Sequence, residues 1–232
     1  MAVNPQIKTL DLRPPKAPNL PIAPVDYGQR YQDQVLNALR LYFNEIDNFG
    51  FGLINTSGGA GLSFPHIAAS DSTDQLATAN DTPTVVSFNT LDAGLGFTLA
   101  APGTATADIS GIYKITYSAQ LINTDNVAHD ATFWLKINNV DVPNSTTIFS
   151  VPARKSAGVF SYVAGYSEVT FSVEAGDEIE LYWATNQAYD TSPATDGVYI
   201  FHDVAQTVPY ARPAVPSVIG SITFVSRLPT NT

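Results

Sequence analysis

Gly111-Ile112-Tyr113-Lys114-Ile115-Thr116-Tyr117 (GIYKITY) is the stretch from which the fold is read. Ile112, Lys114 and Thr116 alternate with Tyr113, Ile115 and Tyr117, a period of two that gathers aromatic and apolar side chains on one face of a strand. Gly111 is expected to permit a tight turn before it. The stretch ends a Thr/Ala/Gly/Asp-rich run and opens a series of similar strands, so the expected class is an antiparallel β-sandwich.

Working outward, the period of two begins near residue 64. Strands are expected over Thr84–Phe88, Phe97–Leu99, Gly111–Leu121, Thr132–Ile137, Thr146–Val151, Ala157–Ala164, Ser167–Val173, Glu178–Ala184, Val198–Val204 and Ser217–Ser226. Asn138-Asn139 and Glu174-Ala175-Gly176-Asp177 read as turns between them. Short strands with turns and no intervening helices predict a mainly β, antiparallel jelly-roll sandwich.

Upstream the period changes. Residues 1–26 carry Pro5, Pro14, Pro15, Pro18, Pro21 and Pro24, which forbid a helix and favour an extended polyproline II arm. Apolar residues between the prolines, including Leu10, Leu12, Leu20 and Ile22, suit docking better than linking, because a plain linker is polar. Tyr31, Val35, Leu39, Tyr42 and Ile46 then fall on one stripe of a helix, widened by Leu36 and Phe43. Asn48-Phe49-Gly50 reads as its stop. The expected layout is an extended arm over 1–26, a helix over 27–48, a glycine-rich connector over 49–63 and the jelly roll over 64–232. The connector has no GKS or GKT after its glycines and no preceding apolar strand, so it is not read as a phosphate loop.

The charge balance narrows the partners. Lys and Arg total 11 against 21 Asp and Glu, a net charge of −10, which argues against nucleic acid and anionic membranes. Only 14% of residues are charged, so the surface must be rich in small polar residues or covered by other chains. There are no cysteines, which excludes disulfides and thiolate metal sites. No window has the length of apolar chain that spans a bilayer, and the N-terminus lacks the apolar run of a signal peptide.

Catalytic patterns are absent. His66, His129 and His202 are isolated, without the short-range pairing of a metal site. No G-x-S-x-G occurs. Acidic loops hold Asp71 and Asp74, Asp125 and Asp130, and Asp190 and Asp196. None matches the D-x-D-x-D-G pattern, and Asp in a turn commonly bonds its own backbone. A non-enzymatic protein without a cofactor is expected, with calcium in these loops the one ion left open.

The aromatics suggest self-association. In Phe133-Trp134 and Tyr182-Trp183, neighbouring strand residues face opposite sides, so one ring of each pair must face outward. A lone sandwich would leave such rings wet, and an interface between copies would cover them.

Three motifs in order resemble the tumour-necrosis-factor-like and complement globular-head jelly rolls: Gly111–Tyr117, the strand pair Phe171-Ser172-Val173-Glu174-Ala175-Gly176-Asp177-Glu178-Ile179-Glu180-Leu181, and Ser217-Val218-Ile219-Gly220-Ser221-Ile222-Thr223-Phe224. The likeness covers roughly residues 64–228. It implies a homotrimer with an apolar seam on its threefold axis and no shared catalytic site, and related trimers hold calcium near their apex. The rings expected at the seam are Tyr113, Tyr117, Trp134, Tyr182, Trp183 and Phe224. Leu20-Pro21-Ile22-Ala23-Pro24-Val25-Asp26-Tyr27, running into Leu39-Arg40-Leu41-Tyr42-Phe43-Asn44, resembles N-terminal segments of structural proteins from tailed phages, marine cyanophages especially. That resemblance implies a virion component assembled in the host cytoplasm and exposed on the particle surface. The expected function is a trimeric capsid decoration protein (cement or head protrusion) held to the major capsid protein through Leu10, Leu12, Leu20, Ile22, Tyr31, Leu39 and Tyr42. The alternatives are a tail fibre or receptor-binding tip whose loops 123–130 and 185–197 meet host glycans, and a bacterial lectin-like adhesin.

Overall fold

The computed structural model describes residues 18–20, 22, 28–54, 64–191 and 194–228. The chain divides into two compact units, residues 1–63 and 64–232. Among the described residues of the first, the helix α1 runs Gln29–Ile54. Gly28 opens it, its carbonyl accepting the Tyr31 amide at 3.0 Å. Tyr31, Val35, Leu39, Tyr42 and Ile46 are partly buried, while Leu36, Leu41 and Phe43 are exposed. The helix passes through the expected stop at Asn48-Phe49-Gly50. A glycine inside a helix costs only about 1 kcal/mol relative to alanine, too little to end it alone.

Among the described residues, the second unit holds fifteen strands: β1 His66–Asp71, β2 Thr84–Val85, β3 Thr90–Leu95, β4 Phe97–Ala100, β5 Thr104–Ala107, β6 Gly111–Asn123, β7 His129–Ile137, β8 Val140–Asp141, β9 Thr147–Val151, β10 Ser161–Val173, β11 Glu178–Thr185, β12 Asp190–Thr191, β13 Ala194–Thr195, β14 Val198–Ile200 and β15 Val218–Ser226. One sheet runs β10-β6-β15-β1-β3, with β14 also on β6. The other runs β4-β5-β11-β7-β8, with β2 on β11 and β9 on β7. The main-sheet pairings are antiparallel, and the chain crosses repeatedly from sheet to sheet, as from β5 to β6 to β7 and from β9 to β10 to β11. This is the jelly-roll sandwich expected from the sequence.

The long strand β6 carries the most pairing. β10 lies along its whole length, from Val173 opposite Gly111 to Ser161 opposite Asn123. On its other side β15 and β14 follow one another, pairing with Ile112 to Ala119 and with Leu121 to Asn123. Its inward residues Tyr113, Ile115, Tyr117, Ala119 and Leu121 are buried. They meet two aromatic groups. Tyr113 packs edge-on to Phe97 and Phe224, at 5.3 and 5.4 Å between centroids. Tyr117 meets Phe133 at 5.6 Å, and Phe133 stacks on Trp183 at 6.1 Å.

Two glycines have reasons other than turns. Gly111 starts β6 where a Cβ would strike the Phe224 ring at 2.4 Å, so close approach rather than a turn requires it. The expected break between Ala157–Ala164 and Ser167–Val173 does not occur, and β10 is continuous through Gly165. A Cβ there would meet the Phe149 ring at 3.0 Å, so this glycine admits a neighbouring ring. β1 (HIAASD) and β5 (TATA) were not among the expected strands. Alanine is a poor strand former by propensity, and these strands are set by pairing with β15 and β11.

Two tyrosines four residues apart on β6 separate hydrogen bonding from packing. Tyr113 Oη donates to the Ile109 carbonyl at 2.8 Å. Tyr117 Oη is buried without a partner, near the Thr147 and Ser167 hydroxyls, which bond each other at 2.8 Å. Tyr113→Phe is expected to lower stability by about 1 kcal/mol, whereas Tyr117→Phe removes an unpaired buried hydroxyl and leaves stability unchanged or raised. Urea unfolding of both variants, followed by intrinsic fluorescence, checks the contrast. Equal losses would mean that the Tyr117 hydroxyl is bonded.

Candidate functional site

The six rings expected at a seam do not share a surface. Tyr113, Tyr117 and Trp183 are essentially inaccessible inside the sandwich, and this corrects their assignment to an interface. Strand alternation turns each of them inward, to the face covered by the opposite sheet. Phe224 is partly buried at one end of the core, stacked on Phe64 at 6.1 Å. Trp134 and Tyr182 are the outward members of their pairs, on the outer face of the β4-β5-β11-β7-β8 sheet. They lie 6.0 Å apart. Trp134 Nε1 donates to Asp141 at 2.8 Å, and Lys136 Nζ sits 4.6 Å from the Tyr182 ring centre. Burial, then Glu180 and Asp141, push the Tyr182 hydroxyl pKa up. These outward rings are thus partly covered by their own strand neighbours.

The docking residues are spread differently. Leu10 and Leu12 lie outside the described residues. Leu20 and Ile22 are exposed, Ile22 at 95%. Tyr31, Leu39 and Tyr42 share the partly buried stripe of α1.

The outer face of the other sheet offers a more continuous surface. Ser118 on β6 stands between Tyr166 on β10 and Ile219 on β15, and Thr116 stands between Glu168 and Ser221. The Thr116 and Ser221 hydroxyls are 2.7 Å apart. Lys114 Nζ lies 3.4 Å from Glu168, which balances the nearest charges. Tyr166 and Ile219 are 61% and 50% exposed and border a shallow depression of about 190 Å³ over Ser118 and Ser221. The sequence signal was present in Tyr162 and Tyr166, an even spacing on one strand face, but alternation alone does not say which face lies outside.

Beyond Asn123 the loops are tied down by polar groups. Asn123 is buried; its Nδ2 donates to the carbonyls of Val127 and Pro152 at 2.8 and 3.1 Å, and its Oδ1 accepts the Asp125 amide at 2.8 Å. Thr124 and Gly197 exchange backbone and hydroxyl bonds at 3.0 Å. Arg154 donates to the Thr124 carbonyl at 2.8 Å and to Asp196 at 2.9 Å. His129 Nε2 lies 2.7 Å from Asp125 Oδ2. The Asp125 and Asp196 carboxylates are therefore engaged by protein partners. Asp74 accepts the His202 amide at 2.8 Å, and Asp71 binds Thr73 through one oxygen while its other oxygen is buried without a partner. Among the described residues no three of His, Cys, Asp and Glu come together as metal ligands.

No protein-family model and no curated protein matches this sequence. Among solved structures, the Eiger TNF of S. frugiperda is similar, at 14% identity, covering 73% of this chain and 97% of that one with a TM-score of 0.43.

The hydrogen bond from His129, outweighing burial and reinforced by the Asn126 amide, holds the Asp125 carboxyl below its ordinary pKa. A lowered carboxylate pKa adds stability that is complete above about pH 4 and is lost as pH falls through the folded-state value. Asp125→Asn should therefore lower the urea midpoint near neutrality and flatten its fall below pH 4. Parallel midpoint curves for the variant and the parent would show that Asp125 does not carry this dependence.

Proposed function

We propose that this chain is a homotrimeric structural protein of a phage particle, a capsid decoration protein held by its N-terminal segment, with the outer face of the β10-β6-β15-β1-β3 sheet as the seam between copies. The observation that carries the seam is the row Tyr166, Ser118, Ile219: two exposed apolar side chains around small hydroxyl residues, with adjacent charges already paired within the protomer. Such a face is cheap to dehydrate, because hydroxyls can bond across an interface and no unpaired charge in the row must be buried. The proline-spaced apolar residues of 1–26, the apolar stripe of α1 and the phage-like N-terminal sequence support anchoring by that segment. The major capsid protein is the proposed partner. A tail-tip role is the second reading, favoured by the braced loops around Asn123. Copy number per particle separates the two, hundreds for decoration and a dozen or so for a tip.

Sedimentation equilibrium of the full chain is expected to give three times the 24.8 kDa subunit mass. Tyr166→Glu combined with Ile219→Asp should yield a folded monomer, and a chain lacking residues 1–26 should remain trimeric but fail to join particles. A monomeric parent at high concentration would remove the trimer, and attachment of the truncated chain would remove the arm as anchor.

A further inference from the structure

A polar groove of about 540 Å³ lies between the segment after β1 and the segment after β11, with Thr78, Ala79 and Asn80 on one side and Gln187, Tyr189 and Asp190 on the other. Its size falls within the range of about 300–1,000 Å³ common for small-molecule sites. The two sides are held together. Asn80 Oδ1 accepts the Ala188 amide at 2.8 Å, and Asn80 Nδ2 donates to Gln187 Oε1 at 3.3 Å. Gln187 Nε2 donates to the Asp196 carbonyl at 3.3 Å, and the Asp81 amide bonds the Thr185 carbonyl at 2.8 Å. Tyr189 packs against Tyr199 with ring centres 4.8 Å apart, which holds its ring in place.

This chemistry selects a ligand class. After these bonds the Asn80 and Gln187 amides still have further donor hydrogens and acceptor lone pairs. Donors and acceptors set side by side match the adjacent hydroxyls of a sugar ring, each of which both donates and accepts. Tyr189 offers an aromatic surface to the sugar's C–H groups. No lysine or arginine is among the described residues lining the groove, and the chain carries a net charge of −10, so an anionic ligand would meet repulsion without a counter-charge. We propose that this groove binds a neutral saccharide, one or two residues long. The proposal is independent of the trimer and of attachment to a particle, since every residue it uses belongs to one protomer's sandwich.

The test is saturation-transfer NMR and titration of the full chain with the methyl glycosides of glucose, galactose, mannose and N-acetylglucosamine, with lactose and maltose, and with N-acetylneuraminic acid as the anionic comparison. At least one neutral sugar is expected to bind with a Kd of roughly 1 mM. Tyr189→Ala and Ala79→Arg should each weaken it at least about tenfold. Tyr189→Ala also removes the contact with Tyr199, so Ala79→Arg, a bulky side chain on an exposed loop position, is the variant that blocks the groove while leaving the fold intact. The proposal is overturned by the lack of saturable binding of every neutral sugar up to about 50 mM, by binding that survives Ala79→Arg, or by preference for the anionic sugar.

Discussion

Burial of alternate side chains along β6 constrains the rest of the sandwich. Tyr113, Ile115, Tyr117, Ala119 and Leu121 enter the core, while Ile112, Lys114, Thr116, Ser118 and Gln120 face away. A slip of one residue against β10 or β15 would exchange these sets and place a lysine and three polar side chains between the sheets. The register is guarded locally as well. Tyr113 is tied to Ile109, Phe224 lies over the bare backbone of Gly111, and Thr116 bonds Ser221 across the strands. The pairing of six strands in one sheet and the aromatic contacts to the other both depend on this parity.

The same alternation explains what could be read from the residues and what could not. A period of two over 111–117 was enough to announce a strand and, with its neighbours, a jelly roll. It also required one ring of Phe133-Trp134 and one of Tyr182-Trp183 to face outward, which they do. Parity does not identify what covers a buried face, however. Tyr113, Tyr117 and Trp183 were expected to meet other copies, yet each is covered by the opposite sheet of the same chain. Glycine misled for a related reason. Gly50 and Gly165 read as interruptions, but one is carried inside a helix and the other makes room for Phe149. β1 had Ile67 as its one apolar side chain larger than alanine, too little to mark a period of two, and its strand character comes from pairing with β15 and β3. Loop 185–197 stood out as a possible contact for glycans, but its pairing with Thr78, Ala79 and Asn80 was not legible, because the two segments meet only through the fold.

The low charge of the chain has a local counterpart in these surfaces. On the outer face of the six-stranded sheet around β6, Thr116, Ser118 and Ser221 take positions where many proteins place lysine and glutamate. In the loops beyond Asn123, amides, hydroxyls and single ion pairs such as Arg154–Asp196 supply the order. Hydroxyl and amide groups are directional but cheap to dehydrate compared with ions. A surface built from them costs less to dehydrate than one built from ions.

The first and last strands of the sandwich are neighbours, with His66 opposite Thr223 and the Phe224 amide bonded to the Pro65 carbonyl at 2.9 Å. Chain entry into β1 and exit from β15 therefore sit together where β6 begins, about 40 Å along that strand from Asn123. Engineering a display scaffold from this domain is shaped by that geometry. A peptide fused behind β15 would emerge beside the chain entering β1, whereas one grafted into the exposed turn Asn126-Val127-Ala128 would stand at the opposite end of β6.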